Sequence, residues 1–226
     1  MDEKEARIIS ITNRKGGVGK STLSILLATS LANQLQKKVL IIDMDSQNTV
    51  QTLFDLVSDS EIKPLFDVVS INPDHLKDEL IEQETKYDVI FLDLPRITES
   101  VKAKDIPTIN SLQYCDSVLI PILASTIDVL SSVEYYNVIK AVAKLRNGVK
   151  LPFTHKAILN RVNSRKINEI ALNHLKDMDV PLMNSNLGDY ATFQNVDPTI
   201  DVLTTSEGEK RFRSFFDEFI QTFKFN

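Results

Sequence analysis

Residues 7–35 read RIISITNRKGGVGKSTLSILLATSLANQL, and the fold follows from how this stretch is divided. Arg7–Thr12 is a short Ile-rich run of the kind that forms a buried strand, and the residues after Thr22 place apolar side chains at helical spacing. A glycine-rich loop lies between them. Such a loop lets backbone N–H groups point at phosphate oxygens, while the helix N-terminus adds its partial positive charge. Gly16, Gly17 and Gly19, with Val18 among them, remove the side chains that would block that approach. The spacing lets Lys20 reach the β and γ phosphates of a nucleotide, the Ser21 hydroxyl ligate Mg²⁺, and Thr22 touch the α phosphate. Turn chemistry alone asks for glycine but not for Lys-Ser after the last one.

Outward from the loop, short Val- and Ile-rich runs alternate with longer amphipathic segments. That pattern predicts an α/β fold, a doubly wound, mostly parallel sheet with helices on both faces, in one domain over residues 1–226. Strands are expected at Arg7–Thr12, Lys38–Asp43, Phe66–Ile71, Val89–Asp93, Ser117–Ile122 and Lys156–Asn160. Helices are expected at Gly19–Leu35, Pro73–Lys86, Asp128–Arg146 and Ser164–Met178, with a last one from Ser206 to Phe223. Ser185–Thr205 has no clear period.

The single cysteine, Cys115, forms no internal disulfide and supplies no cysteine cluster, which suits a reducing cytoplasm. The start MDEKEARIIS lacks the apolar run of a signal peptide, and no stretch is long and apolar enough to span a bilayer. His75, His155 and His174 show no metal-ligand spacing. The net charge of −5 is unevenly spread: residues 1–134 carry 13 Lys+Arg against 21 Asp+Glu, and residues 135–226 carry 13 against 10. Polyanion contacts are therefore expected from the C-terminal part, where Arg165/Lys166 and Lys210/Arg211/Arg213 cluster.

Arg14 stands where the common phosphate-loop motif has its first glycine, and a second lysine, Lys15, stands at the loop's entrance. A lysine there points away from its own γ phosphate site, so its electrostatic partner is a phosphate held by a facing subunit. Here the chain resembles the ParA/MinD family of deviant Walker ATPases, whose K-G-G-x-x-K-[ST] motif is matched by Lys15, Gly16, Gly17, Lys20 and Ser21. The resemblance implies a nucleotide-sandwich homodimer bridged by Lys15.

Two acidic strand ends extend the pattern. IIDMDSQ resembles the family's D-x-D-P-Q, with Ser46 in place of proline, and FLDLPR ends its strand in Asp93. Residues just past the carboxyl ends of such strands border the nucleotide crevice. By resemblance Asp45 orients the attacking water, Asp43 belongs to the Mg²⁺ surroundings or the loop, and Asp93 holds a Mg²⁺-bound water, so that Ser21, Asp45 and Asp93 make up the metal set. Asn160 and Arg161 match the family's N-R segment, where the asparagine amide reads the adenine edge.

The implied function is that of the short plasmid-partition ParA proteins. ATP closes the homodimer, the dimer binds DNA without sequence preference, and a centromere-binding ParB- or ParR-like protein stimulates slow hydrolysis on the nucleoid, in the cytoplasm. With the phosphate loop so close to the start, operator-specific binding through an N-terminal helix-turn-helix is not expected. The alternative is a MinD-like membrane-surface or protein-cargo ATPase. Phe212, Phe215, Phe216, Phe219, Ile220 and Phe223 make one apolar helical face, expected to pack on the sheet because Asp217 and Glu218 interrupt the basic polar face that anionic lipid favours. A ligase of the dethiobiotin synthetase type lacks the Lys15 signature, and a bacterial tyrosine kinase needs a C-terminal tyrosine cluster, whereas the last tyrosine here is Tyr190.

Overall fold

The computed structural model describes residues 5–59, 61–95, 106–163 and 165–225, apart from the side chains at 126–127 and 165–168. Six strands form a wholly parallel sheet: β1 (Arg7–Ile11), β2 (Val39–Asp43), β3 (Asp67–Ser70), β4 (Val89–Asp93), β5 (Ser117–Leu123) and β6 (Thr154–Asn160), in the order β3-β2-β4-β1-β5-β6. Val39–Asp43 and Val89–Asp93 are buried at every residue, as strands covered on both faces must be. Their register sets Asp43 directly beside Asp93. β1 lies at the centre between β4 and β5, so the loop that follows it opens where the chain switches from one half of the sheet to the other.

The expected helices are present as α1 (Lys20–Leu35), α3 (Leu76–Gln83, entered through a 3-10 turn at Pro73–His75), α5 (Thr126–Gly148), α6 (Arg165–Asp177) and α8 (Ser206–Thr222). Three more were not expected: α2 (Thr49–Ser58), α4 (Ile106–Ser111) and the single turn α7 (Ala191–Gln194). α2 has no local cap. Asn48 at its start is left-handed and offers no side-chain bond; instead Asp43, at the end of β2, accepts from the N–H groups of Val50 and Gln51 at 3.0 and 3.1 Å. A cap supplied from another element leaves no trace in the helix's own sequence.

α8 closes one face of the sheet. Phe212, Phe215, Phe216, Phe219 and Phe223 are buried in one cluster with Ile9, Ile11, Leu27 and Leu31, and Ile220 packs on its margin. At about 1.5–3 kcal/mol for each large apolar side chain taken from water, these rings are core. They offer no apolar face to a membrane, and no helix among the described residues is long and apolar enough to cross one.

The segment before α8 is fastened by a buried carboxylate. Asp201 accepts from Ser30 Oγ (2.7 Å), Asn33 Nδ2 (3.0 Å) and Gln34 Nε2 (2.6 Å) on α1, and from the N–H of Leu203 (2.9 Å). Burial pulls its pKa upward, but these donors together outweigh it and hold the carboxyl below the usual carboxylate range. The stabilisation is present above the ordinary carboxylate pKa and is lost as pH falls through the depressed one. Asp201→Ala strands three side-chain donors and is expected to cost about 3 kcal/mol, read as a lower urea midpoint with an unchanged slope.

Candidate nucleotide site

The segments that follow β1 and β2 and the carboxyl end of β6 meet at a cleft of about 460 Å³. Its floor is the phosphate loop. Gly17 and Gly19 have φ of 74° and 93°, values that side chains rarely adopt. A Cβ on Gly19 would also come within 2.5 Å of Asn160 Nδ2. Gly19 precedes α1 directly, so the helix's first N–H groups, together with the Ser21 and Thr22 side chains, face the cleft. Val18 is buried as the loop's anchor, and Gly16 is half-buried. Lys20 lines the cleft and is itself buried, so its charge is directed inward rather than into solvent.

Asp93 lies beneath the loop. Ser21 Oγ donates to Asp93 Oδ2 at 2.7 Å, while Oδ1 is buried with no hydrogen-bond partner among the described residues. Burial pushes the Asp93 carboxyl up to about 7; the Ser21 hydroxyl and Lys20 oppose this, and the neighbouring Asp43 charge adds to it. An orphaned carboxylate oxygen is uncommon inside proteins and asks for a partner. A divalent cation beside Ser21 and Asp93 would supply both ligand and counter-charge, so these residues fit Mg²⁺.

One consequence is measurable without metal. Because Asp93's folded pKa stands above its ordinary 3.8, its contribution to stability is fully present below about pH 4 and lost as pH rises through about 7. Asp93→Asn carries no such loss. In the presence of a chelator the variant should gain on the parent as pH rises from about 4 to 8, by up to roughly 4 kcal/mol at 1.36 kcal/mol per pK unit. A gap in urea midpoint that stays constant with pH would contradict this.

Asp43 and Asp45 divide differently from their sequence pattern. Asp43 is fully buried and accepts from the N–H groups of Asp45, Val50 and Gln51. Burial raises its pKa and those bonds oppose the rise. It therefore organises the turn and the start of α2 rather than facing the cleft. Asp45 does line the cleft, half-buried, with Oδ1 accepting from the Gln47 N–H at 3.0 Å.

Lys15 is not among the cleft residues. Its ammonium forms an ion pair with Asp128 near the start of α5, and Asp128 in turn is bonded to Ser125. Arg14 pairs with Glu134 of the same helix at 2.7 Å. The loop's entrance is thus docked on α5 of its own chain.

At the far end of the cleft Asn160 Nδ2 donates to the Val18 carbonyl at 2.8 Å, so its amide nitrogen is already engaged by the loop. Arg161, in a left-handed conformation, gives its Nε to Asp189 Oδ1 at 3.0 Å, and Gln194 donates to the same oxygen. The Arg161 bond, then that from Gln194, lowers the Asp189 pKa. Tyr190 and Phe193 supply ring surface there, 5.7 Å apart and edge-on. None of Asp189, Tyr190, Phe193 and Gln194 stood out in the sequence, because they belong to the aperiodic stretch whose structure is set by packing on α8 and the cleft.

The basic C-terminal cluster is less basic than its count. Arg211 pairs with Glu207 at 2.6 Å and lies 3.8 Å over the Tyr190 ring, and Arg213 pairs with Glu209 at 2.8 Å. These i, i+4 pairs largely neutralise that face of α8. The Arg165 and Lys166 side chains lie outside the described residues.

Residues 6–78 match the AAA domain family. The chain is 33% identical to the chromosome partitioning protein ParA of Myxococcus xanthus, covering 51% of this chain and 52% of that protein, so this match spans about half the relative's length. It is 23% identical to the maintenance of carboxysome distribution protein A of Halothiobacillus neapolitanus, over 98% of this chain and 96% of that one. Among solved structures, the complex of Cyanothece McdA with ATP superposes with a TM-score of 0.71 at 17% identity, over 97% of this chain and 95% of that chain. The resemblance first carried by Lys15, Gly16, Gly17, Lys20 and Ser21 thus extends through the sheet order and across these relatives: the chain has the P-loop NTPase fold and is similar in sequence to ParA-type proteins.

Proposed function

We propose that this protein is a MgATP-dependent positioning switch. Two copies close around ATP, the closed dimer binds DNA without sequence preference, and slow hydrolysis, stimulated by a centromere-binding type of partner, releases it. The observation that carries this reading is the separation of the two loop lysines. Lys20 is buried in the cleft, where it would meet its own nucleotide's phosphates. Lys15 is held outside the cleft on Asp128 and would have to leave it to serve a facing copy. Ser21 and Asp93 would hold Mg²⁺, which would supply positive charge against that of the phosphates. The chain's own groups do the rest: loop N–H groups and Lys20 hold phosphate, Asp45 orients water, and the Asn160, Tyr190 and Phe193 end receives the base.

The expected result for Lys15→Ala is ATP binding near the parent's by calorimetry, with the ATP-dependent rise in light scattering lost. A variant that dimerises with ATP and hydrolyses it at the normal rate would remove the bridging role. DNA binding is checked by retardation of unrelated duplexes with ATP, ADP and no nucleotide. It should require ATP and weaken steeply with salt.

A protein assembly as cargo is the second reading. It is favoured by the internal pairing of Arg211 and Arg213, which leaves α8 little free charge for phosphates, and by the carboxysome-distribution relative that aligns over nearly the whole chain. A dimer that forms with ATP yet retards no duplex would select it.

A further inference from the structure

At the amino ends of β2, β3 and β4, opposite the nucleotide cleft, a second concavity of about 450 Å³ opens at the surface. Pro64, Leu65 and the buried Phe66 form its apolar wall. Lys37, Lys38 and Lys86 line it together with Val39, Asp67 and Tyr87, within residues 1–134, which carry 13 basic against 21 acidic residues.

The neighbouring carboxylates are committed elsewhere. Asp67 accepts from the Tyr87 hydroxyl at 2.9 Å, a bond that with burial pushes the phenol up to about 12. Asp88 accepts from the Lys38 backbone N–H at 2.9 Å. Glu82 pairs with Lys86 at 2.9 Å. The ammonium groups of Lys37 and Lys38 are left with no carboxylate partner among the described residues. Lysines after a helix often serve its C-terminal dipole, and Lys37 and Lys38 do follow α1. That role does not require an apolar wall facing them, nor a third lysine arriving from another element.

From this juxtaposition we infer that the groove is a docking site for an acidic segment of a partner protein, one that sets an apolar side chain against Leu65 and Phe66 while its carboxylates meet Lys37 and Lys38. Charge complementarity selects this occupant. The volume suits a few side chains rather than a duplex, and the apolar wall gives phosphodiester nothing to use. β2 and β4 are five-residue strands, so the groove stands about 16 Å from the cleft at roughly 3.3 Å per residue. A partner held there touches neither nucleotide nor the loop. It stays attached through ATP, ADP and empty states, while release from the cargo surface is governed at the other end. The inference names the chemistry of the partner that the positioning reading requires and rests on that reading for its purpose.

The test uses the intact protein and a short fluorescein-labelled peptide of glutamates around a central leucine-phenylalanine pair, followed by fluorescence anisotropy. Saturable binding is expected, equal with ATP, ADP or no nucleotide, and weakened at least about tenfold by Lys37→Glu/Lys38→Glu. The milder Lys37→Gln/Lys38→Gln should weaken it in the same direction, with circular dichroism confirming that both variants are folded. A peptide with serines in place of the leucine-phenylalanine pair should also bind more weakly. Absent binding to the parent, equal binding to the charge-reversed protein, indifference to the serine replacement, or dependence on nucleotide would each overturn the proposal. ATP turnover and dimerisation of Lys37→Glu/Lys38→Glu should match the parent's. Should the parent itself neither hydrolyse ATP nor dimerise, the positioning reading fails while the anisotropy result still scores the groove.

Discussion

Lys20→Ala is expected to abolish measurable MgATP binding, and with it both turnover and ATP-dependent dimerisation. The side chain is buried in the cleft next to the loop's backbone donors, so its ammonium is only weakly screened by water. Removing it takes away a buried loop cation that lines the cleft, and charge-assisted bonds to phosphate are about twice as strong as neutral ones. A loss of 3–5 kcal/mol, the order seen when one partner of a buried charge pair is removed, corresponds to about two to four decades in affinity. Calorimetry with ATP and Mg²⁺ reads this directly. The contrast with Lys15→Ala is the informative part, since both variants lose one lysine from the same loop. Equal ATP affinities for the two would mean that the loop does not divide its lysines between nucleotide and partner copy.

The phosphate loop and the parallel sheet were legible because both are local. Glycine spacing, the strand before it and the helix after it sit within thirty residues, and strands buried on both faces declare themselves as unbroken apolar runs. What stayed hidden depends on contacts between distant residues. α2 is capped by Asp43 from another element, so its start carried no signal. Val50, Leu53, Phe54 and Val57 do show helical spacing. The resemblance implies different roles for Asp43 and Asp45, but not that Asp43 is taken up by backbone N–H groups. Their positions separate because β2 ends at Asp43 and the N–H groups of α2 arrive on that carboxylate, while Asp45 stands past the strand end and lines the cleft. The charge cluster on α8 misled for a related reason: Glu207 and Glu209 lie one helical turn from Arg211 and Arg213, so a count of basic residues overstates the free charge. The far end of the cleft was illegible because tertiary packing brings Asp189, Tyr190 and Phe193 to Asn160 and Arg161.

Asp45→Ala is expected to separate binding from chemistry. Asp45 lines the cleft and is held by its own backbone: its N–H donates to Asp43 Oδ1 at 3.1 Å, and its Oδ1 accepts from the Gln47 N–H. That turn survives truncation of the Asp45 side chain, because Asp43 still receives Val50 and Gln51 and still anchors α2. The cleft's phosphate-binding groups are untouched, so MgATP affinity and the ATP dimer should persist. What is lost, on the proposed assignment, is the carboxylate that would orient and receive a proton from water, and removal of such a group usually slows the chemical step by about 10²–10⁴. Single-turnover phosphate release should fall by that factor while calorimetry stays near the parent's value. Asp43→Ala makes the complementary control: α2 loses both capping bonds and the turn loses its anchor, so stability falls with the rate, by about 1–2 kcal/mol if it behaves as other lost caps do. Normal turnover in Asp45→Ala would refute its assignment to water. Loss of MgATP binding in that variant would instead move Asp45 into the metal site with Ser21 and Asp93.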